Sequence, residues 1–151
     1  MFVLIRTTII ALVLGFNAGS ILAQDFQKGF AAYQAGDYAT ALQEWRLLAE
    51  QGDALAQGNI GFMYENGTGV LQDYAEAVKW YRLAAEQGHA KSQNNIGVMY
   101  EFGNGILQNN VMAHMWYNIA AANGHEKAGE WRDERAGLMT SADISKAQSM
   151  A

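Results

Sequence analysis

The stretch ALAQGNIGFMYENGTGVLQDYAEAVKWYRLAAEQGH, residues 54–89, is followed at once by AKSQNNIGVMYEFGNGILQNNVMAHMWYNIAAANGH, residues 90–125. The two stretches carry the same residue at 19 of 36 positions. Unrelated sequences of average composition would agree at about two or three positions. A period of this length is typical of helix-pair repeats, each of which buries its apolar face against the next.

A third, shortened copy precedes the two full ones. DYATALQEWRLLAEQG, residues 37–52, matches DYAEAVKWYRLAAEQG, residues 73–88, at 10 of 16 positions. Tyr33 lies four residues before Asp37, whereas Tyr64 lies nine residues before the equivalent aspartate. Aligning these tyrosines predicts that the first copy lacks five residues, TGVLQ, and is an atypical end repeat.

Each full copy predicts two helices, because its apolar residues recur at intervals of three and four. Gly61 and Gly97 fall inside the first helix of their copies. A glycine there costs about 1 kcal/mol relative to alanine, so we expect another backbone to approach closely at both positions. Left-handed glycines are expected to end the second helices, at Gly52, Gly88 and Gly124.

The glycine-rich segment ENGTGV, residues 65–70, could be mistaken for a phosphate-binding loop. It lacks the third glycine of a dinucleotide fingerprint and the lysine of a P-loop, and it returns as EFGNGI one period later. We therefore interpret it as a turn in which Gly67 takes a positive φ. Asp73 is expected to cap the next helix, with Glu76 completing a capping box.

The pattern A-x-x-x-x-x-[IL]-G-x-x-Y-x-x-G-x-G-V-x-x-D, followed by A-x-x-W-Y-x-x-A-A-x-x-G-H, resembles the Sel1-like repeat, a relative of the tetratricopeptide repeat. The resemblance implies an all-α, right-handed α-solenoid of antiparallel helix pairs. It divides the chain into a tetratricopeptide-like partial repeat at 24–52, Sel1-like repeats at 53–88 and 89–124, and capping helices at 125–151. Thr140 is the expected N-cap of the last helix.

The first 23 residues, MFVLIRTTIIALVLGFNAGSILA, have the features of a signal peptide: Arg6 near the start, an apolar run, and small residues before Ala23. This apolar run is shorter than the roughly 20 residues that span a bilayer. We therefore expect cleavage after Ala23, a periplasmic or secreted protein, and no membrane span thereafter. A retained N-terminal anchor is the alternative.

Composition and residue types argue against several kinds of site. The net charge of -5 and the absence of any basic cluster disfavour nucleic acid as a partner. The histidines, His89, His114 and His125, are too far apart in a stack to converge on a metal. No serine lies in a nucleophile motif, and there is no cysteine. The sequence predicts no enzyme, no metal and no cofactor.

In a tetratricopeptide-like stack, the first helix of each pair lines the concave side. We predict a protein-binding or peptide-binding groove there, formed by Asn59, Phe62, Asn95, Val98 and Phe102. An asparagine amide can pair with an extended peptide backbone, and the apolar side chains would add affinity. The alternative interpretation is that the asparagines bond to the neighbouring helix or to water.

Three hypotheses for function follow. The first is a non-enzymatic adaptor of the bacterial envelope, which is also what the resemblance implies for most Sel1-like proteins. The second is an envelope hydrolase or a carbohydrate-binding accessory protein of the cell wall. The third is self-association, since two full repeats and a partial one are near the minimum of about three for a stable stack.

Overall fold

A computed structural model describes residues 26–151. In that range the chain forms eight helices and no strand, which confirms the all-helical prediction. The helices are α1 (26–34), α2 (Tyr38–Glu50), α3 (Ala54–Asn66), α4 (Tyr74–Glu86), α5 (Ala90–Phe102), α6 (Asn110–Ala122), α7 (Ala128–Ala136) and α8 (Ser141–Met150). The predicted signal peptide lies outside the described residues.

The helices pack as consecutive pairs, and each pair packs on the next. α3 lies against α4, α5 against α6, and the pairs meet through the α2–α3 and α4–α5 contacts. One buried cluster includes Trp45 and Ile60, and a second includes Tyr81 and Ile96. Tyr64 packs against both clusters and so joins them into one core along the stack.

The helix-interior glycines make room for aromatic rings. A Cβ built on Gly61 would lie 2.6 Å from Tyr81 Cδ1, and one on Gly97 would lie 2.6 Å from Tyr117 Cδ1. The predicted close approach is therefore present, but its partner is a side chain and not a backbone. Both rings are buried, at 0% and 1% exposure, so neither can move aside into solvent.

An equivalent contact between a glycine and a ring fixes the register of the first, shortened pair. A Cβ on Gly29 would lie 2.6 Å from Trp45 Nε1, and Trp45 occupies the repeat position of Tyr81. Gly29 is thus the counterpart of Gly61, 32 residues later. The first copy is consequently shorter by four residues, not by the five inferred from aligning the tyrosines, because the glycine–ring contact determines the spatial alignment.

The turn after α3 has the predicted conformation. Gly67 has φ 65° and Gly69 has φ 72°, both in the left-handed region. The α4 N-cap is also as predicted, since the Asp73 carboxylate accepts the Glu76 N–H at 2.9 Å. The predicted capping box is wrong. The Asp73 N–H donates instead to the Tyr64 carbonyl, and the Glu76 carboxylate accepts from Lys79 at 2.7 Å.

Buried glutamines connect successive pairs. Gln57 Nε2 donates to the Ala49 carbonyl at the end of α2, and Gln93 Nε2 donates to the Ala85 carbonyl at the end of α4, both at 3.0 Å. Gln87 in turn donates to Gln57 Oε1 at 2.8 Å. The two alanine carbonyls also accept the N–H group of the glycine three residues later, so Gln57 and Gln93 each add a second hydrogen bond to a carbonyl at the end of a helix. These side-chain bonds tie each helix pair to the one before it.

The last two helices cover the end of the stack. Both α7 and α8 pack against α6, where Ala128 and Ala147 are fully buried. Thr140 caps α8 as predicted, accepting the Asp143 N–H at 3.2 Å and donating to its carboxylate. None of the helices within residues 26–151 combines the length and apolarity needed to cross a bilayer.

Candidate binding face on the first helices

Two clefts lie on the side of the molecule formed by the first helix of each pair, which we call the first-helix face (α1, α3, α5 and α7). The Phe62 cleft has a volume of about 160 Å³ and is lined by Phe30, Tyr33, Trp45, Asn59, Phe62 and Lys91. The Phe102 cleft has a volume of about 280 Å³ and is lined by Val98, Glu101, Phe102, Tyr117, Trp131 and Glu134. α5 contributes to both clefts.

Four of the five predicted binding residues line these clefts. Asn59 and Phe62 line the first, and Val98 and Phe102 line the second. Asn95 lines neither, and its half-buried side chain lies near the Tyr81 hydroxyl. The two asparagines therefore do not form a uniform row along one groove.

The aromatic wall of the Phe62 cleft includes residues that were not among the predicted binding residues. Phe30 comes from α1, and it follows Gly29 just as Phe62 follows Gly61. Aligning the shortened copy by its glycine would have revealed this pair. Lys91 was missed for a different reason, since it stands at the repeat position of Leu55 and has no counterpart in the preceding copy.

A phenylalanine at each cleft is partly accessible to solvent. Phe62 is 38% exposed and Phe102 is 64% exposed. Single exposed apolar residues are common on protein surfaces, but here each ring borders a concave space that already contains other aromatic atoms. Concave apolar spaces with a few polar groups are the usual form of a binding site.

The Phe62 cleft has a cation at its edge. Lys91 Nζ lies 5.6 Å from the centroid of the Phe62 ring, within the range of a cation–π interaction. Across residues 26–151, no carboxylate lies within 4 Å of this ammonium. The charge of Lys91 is therefore held next to the cleft without being neutralised by an ion pair.

The Phe102 cleft has carboxylates instead. Glu101 accepts a hydrogen bond from the Tyr117 hydroxyl at 2.6 Å and pairs with Arg135 at 3.1 Å. Burial and the adjacent Glu101 raise the pKa of Tyr117, so this hydroxyl stays protonated and remains a donor. Glu134 is exposed, and no cation of the described chain lies within 4 Å of its carboxylate.

One serine–histidine contact has the residue types of a nucleophile and its base. His89 Nδ1 lies 2.8 Å from Ser92 Oγ at the start of α5. Ser92 is only 1% exposed, so its oxygen is not accessible to a substrate. Burial, reinforced by Lys91, lowers the pKa of His89. The contact closes the first turn of a helix whose N-cap makes no other side-chain bond.

No group of three or more potential metal ligands comes together within residues 26–151. His89 and His125 border one cavity between neighbouring turns. His114 is buried at 2% exposure, and its Nδ1 has no hydrogen-bond partner.

Comparison with known proteins agrees with the helix-pair architecture. The family model of the Sel1 repeat matches residues 54–89 and 90–125. None of the curated proteins compared with the sequence matches it.

Three solved structures have a similar fold. A protective antigen of uropathogenic Escherichia coli with an SLR fold superposes at a TM-score of 0.80 and 27% identity, over 84% of this chain and 28% of the antigen. A Sel1 repeat protein from Oxalobacter formigenes gives 0.68 and 39%, over 71% of this chain and 44% of that protein. Cysteine-rich protein B of Helicobacter pylori gives 0.59 and 20%, over 72% and 92%. The chain thus spans less than half the length of the first two.

Proposed function

Since this chain is a Sel1 repeat protein, we propose that it is a non-enzymatic adaptor that binds an extended segment of a partner protein on its first-helix face. Sel1 repeats are generally protein–protein interaction modules. The observation that supports the finer proposal is the presence of two neighbouring clefts, each bordered by an exposed phenylalanine, on this one face.

The spacing of the clefts suits an extended chain. Along α5, Lys91 is seven residues from Val98 and eleven from Phe102. At a rise of 1.5 Å per residue, these separations are about 10 Å and 16 Å. An extended segment advances about 3.3 Å per residue, so three to five residues would connect a side chain in one cleft to a side chain in the other.

We propose further that the protein acts in the bacterial envelope. Support for this comes from the signal-peptide features of residues 1–23, with cleavage between Ala23 and Gln24. Cell fractionation followed by N-terminal sequencing of the recovered protein tests this part. A mature chain that begins at Gln24 in the exported fraction is the expected result. An uncleaved chain in the cytoplasm would contradict it.

Site-specific photo-cross-linking in cells tests the binding face. A photoreactive residue placed at Phe30, on the rim of the Phe62 cleft, should capture a partner segment. Phe102→Asp should reduce that capture about tenfold, because loss of a central aromatic contact typically costs more than about 1 kcal/mol in an interface. The matched control is Leu83→Asp on α4, where the leucine is 46% exposed and lines neither cleft.

Equal loss of cross-links in both variants would contradict the proposal, since it would indicate nonspecific adhesion. A cross-linked product whose only component is a second copy of the chain would replace the adaptor function with self-association.

A further inference from the structure

The Phe62 cleft has the size of a single apolar side chain. Its volume is about 160 Å³, and a protein cavity of about 150 Å³ accommodates benzene. Its walls include the rings of Phe30, Tyr33, Trp45 and Phe62. Tyr33 and Trp45 already pack at 5.6 Å between ring centroids, so an inserted ring would extend an existing aromatic cluster.

The charge at the edge of this cleft favours an acidic neighbour for that side chain. Lys91 is exposed and is held over the Phe62 ring at 5.6 Å. It also borders a wider cavity of about 460 Å³ between the α4–α5 and α6–α7 turns, which includes His89, His125 and Lys127. Glu126 is the one acid there and forms no ion pair with Lys91. In a chain of net charge -5, this edge is a local site of positive charge.

The charges at the Phe102 cleft favour a basic side chain in the ligand. Arg135 neutralises Glu101, but Glu134 remains exposed and unpaired within the described residues. The aromatic atoms of Phe102 and Trp131 beside it can pack against the aliphatic part of a lysine or arginine. A carboxylate placed there in a ligand would meet the unpaired charge of Glu134, whereas a cation would meet complementary charge.

We infer that the first-helix face selects its partner segment by the chemistry of two side-chain positions. An apolar or aromatic residue next to a carboxylate occupies the Phe62 cleft, and a lysine or arginine three to five residues away, on either side, occupies the Phe102 cleft. This inference rests on the proposed function. It adds a chemical class of ligand that the adaptor proposal alone does not require.

Two labelled peptides of equal composition test the inference: GEFSASKG, which has the inferred charges, and GKFSASEG, in which the charges are exchanged. Fluorescence anisotropy with the purified protein in low salt should show about tenfold tighter binding of the first peptide. Exchanging the charges turns two weak exposed attractions into repulsions, each of which is small. The preference should fall to about twofold in 1 M salt, where the screening length is about 3 Å.

The double variant Lys91→Glu with Glu134→Lys should prefer the second peptide. Both side chains are exposed, and neither forms an ion pair within residues 26–151. Only the exposed cation–π contact of Lys91 is lost, so the urea midpoint should fall by no more than about 0.7 M. Lys146→Glu, on the exposed surface of α8, is the control and should keep the wild-type preference.

Equal affinity of the two peptides for the wild type would overturn the inference, as would a preference that the double variant retains. Failure of both peptides to bind at about 1 mM, the weak end of specific affinities, would also overturn it. In any of these cases the adaptor proposal would still stand if Phe102→Asp, but not Leu83→Asp, reduces cross-linking in cells about tenfold. Loss of that distinction would remove both.

Discussion

Replacing Gly61 with alanine is a direct test of how the helix pairs pack. The added methyl group would lie 2.6, 2.8 and 3.1 Å from three atoms of the Tyr81 ring. The ring is fully buried, and its hydroxyl donates to the Glu65 carboxylate at 2.5 Å. Displacement of the ring would therefore disturb this hydrogen bond as well as the packing of the ring.

Two effects of opposite sign determine how much Gly61→Ala changes the free energy of unfolding. Alanine is favoured over glycine inside a helix by about 1 kcal/mol. Overpacking a tight core site typically costs about 1–3 kcal/mol, and three close contacts with a fixed ring place this site near the upper end. We therefore expect Gly61→Ala to lower the free energy of unfolding by about 2 kcal/mol. With an m-value of about 1.5 kcal/mol/M, the urea midpoint would fall by about 1.3 M.

Urea unfolding followed by far-ultraviolet circular dichroism measures this change. Gly129→Ala is the matched control, because no atom lies within 4 Å of the position that its new methyl group would take, and its φ is not positive. It should leave stability unchanged or raise it by up to about 1 kcal/mol. The double variant Gly61→Ala/Tyr81→Leu should cost less than the sum of the single changes, since leucine relieves the clash. A Gly61→Ala midpoint equal to or above that of the wild type would refute the packing argument.

Three further predictions concern titrating groups and a helix cap. Burial and adjacent carboxylates raise the pKa of Tyr81 and Tyr117 above their usual value of 10.0, so the native state holds protons that the unfolded state has lost. Stability should fall above about pH 10 by about 1.4 kcal/mol per pH unit for each tyrosine, and Tyr81→Phe should halve this slope in urea midpoints measured from about pH 9 to 11. Burial lowers the pKa of His114 below 6.5, so acidification protonates the unfolded state preferentially and lowers stability. His114→Val should therefore raise the melting temperature more at about pH 5.5 than at about pH 7.5, and an equal rise at both would disprove the titration argument. Asp73→Ala should reduce the free energy of unfolding by about 1 kcal/mol through loss of the α4 cap, whereas Asp73→Asn should be nearly neutral in the same urea assay.

Local features of the fold could be read from the sequence because each depends on a few neighbouring residues. Gly67 needs a positive φ after its helix, and Asp73 and Thr140 each cap the helix that follows them. The capping box at Glu76 failed because a competing partner exists only in the folded turn, where the Tyr64 carbonyl accepts the Asp73 N–H. The residue types fit a capping box, but a hydrogen bond across the turn occupies the Asp73 N–H that the Glu76 carboxylate would have accepted.

The candidate face was predictable in part. Phe62 and Phe102 follow from helical spacing, and both are exposed where expected. The sequence did not predict that the face is divided into two clefts, because this division depends on how far the side chains of adjacent helices extend. The surroundings of Asn95 are an example: the Tyr81 hydroxyl belongs to the preceding helix pair and comes near the amide only in the stack.

The sequence by itself determined the repeat, the helix pairs and the turns, since a 36-residue period and the spacing of apolar residues and glycines are properties of the chain alone. The tertiary structure decided which side chains face each other across the pairs. It placed Tyr81 in the space left by Gly61, Gly29 in the same role against Trp45, and the Lys91 ammonium over the Phe62 ring. Those contacts join residues 16 to 29 positions apart, so they depend on the separation and rotation of packed helices, which no local pattern specifies.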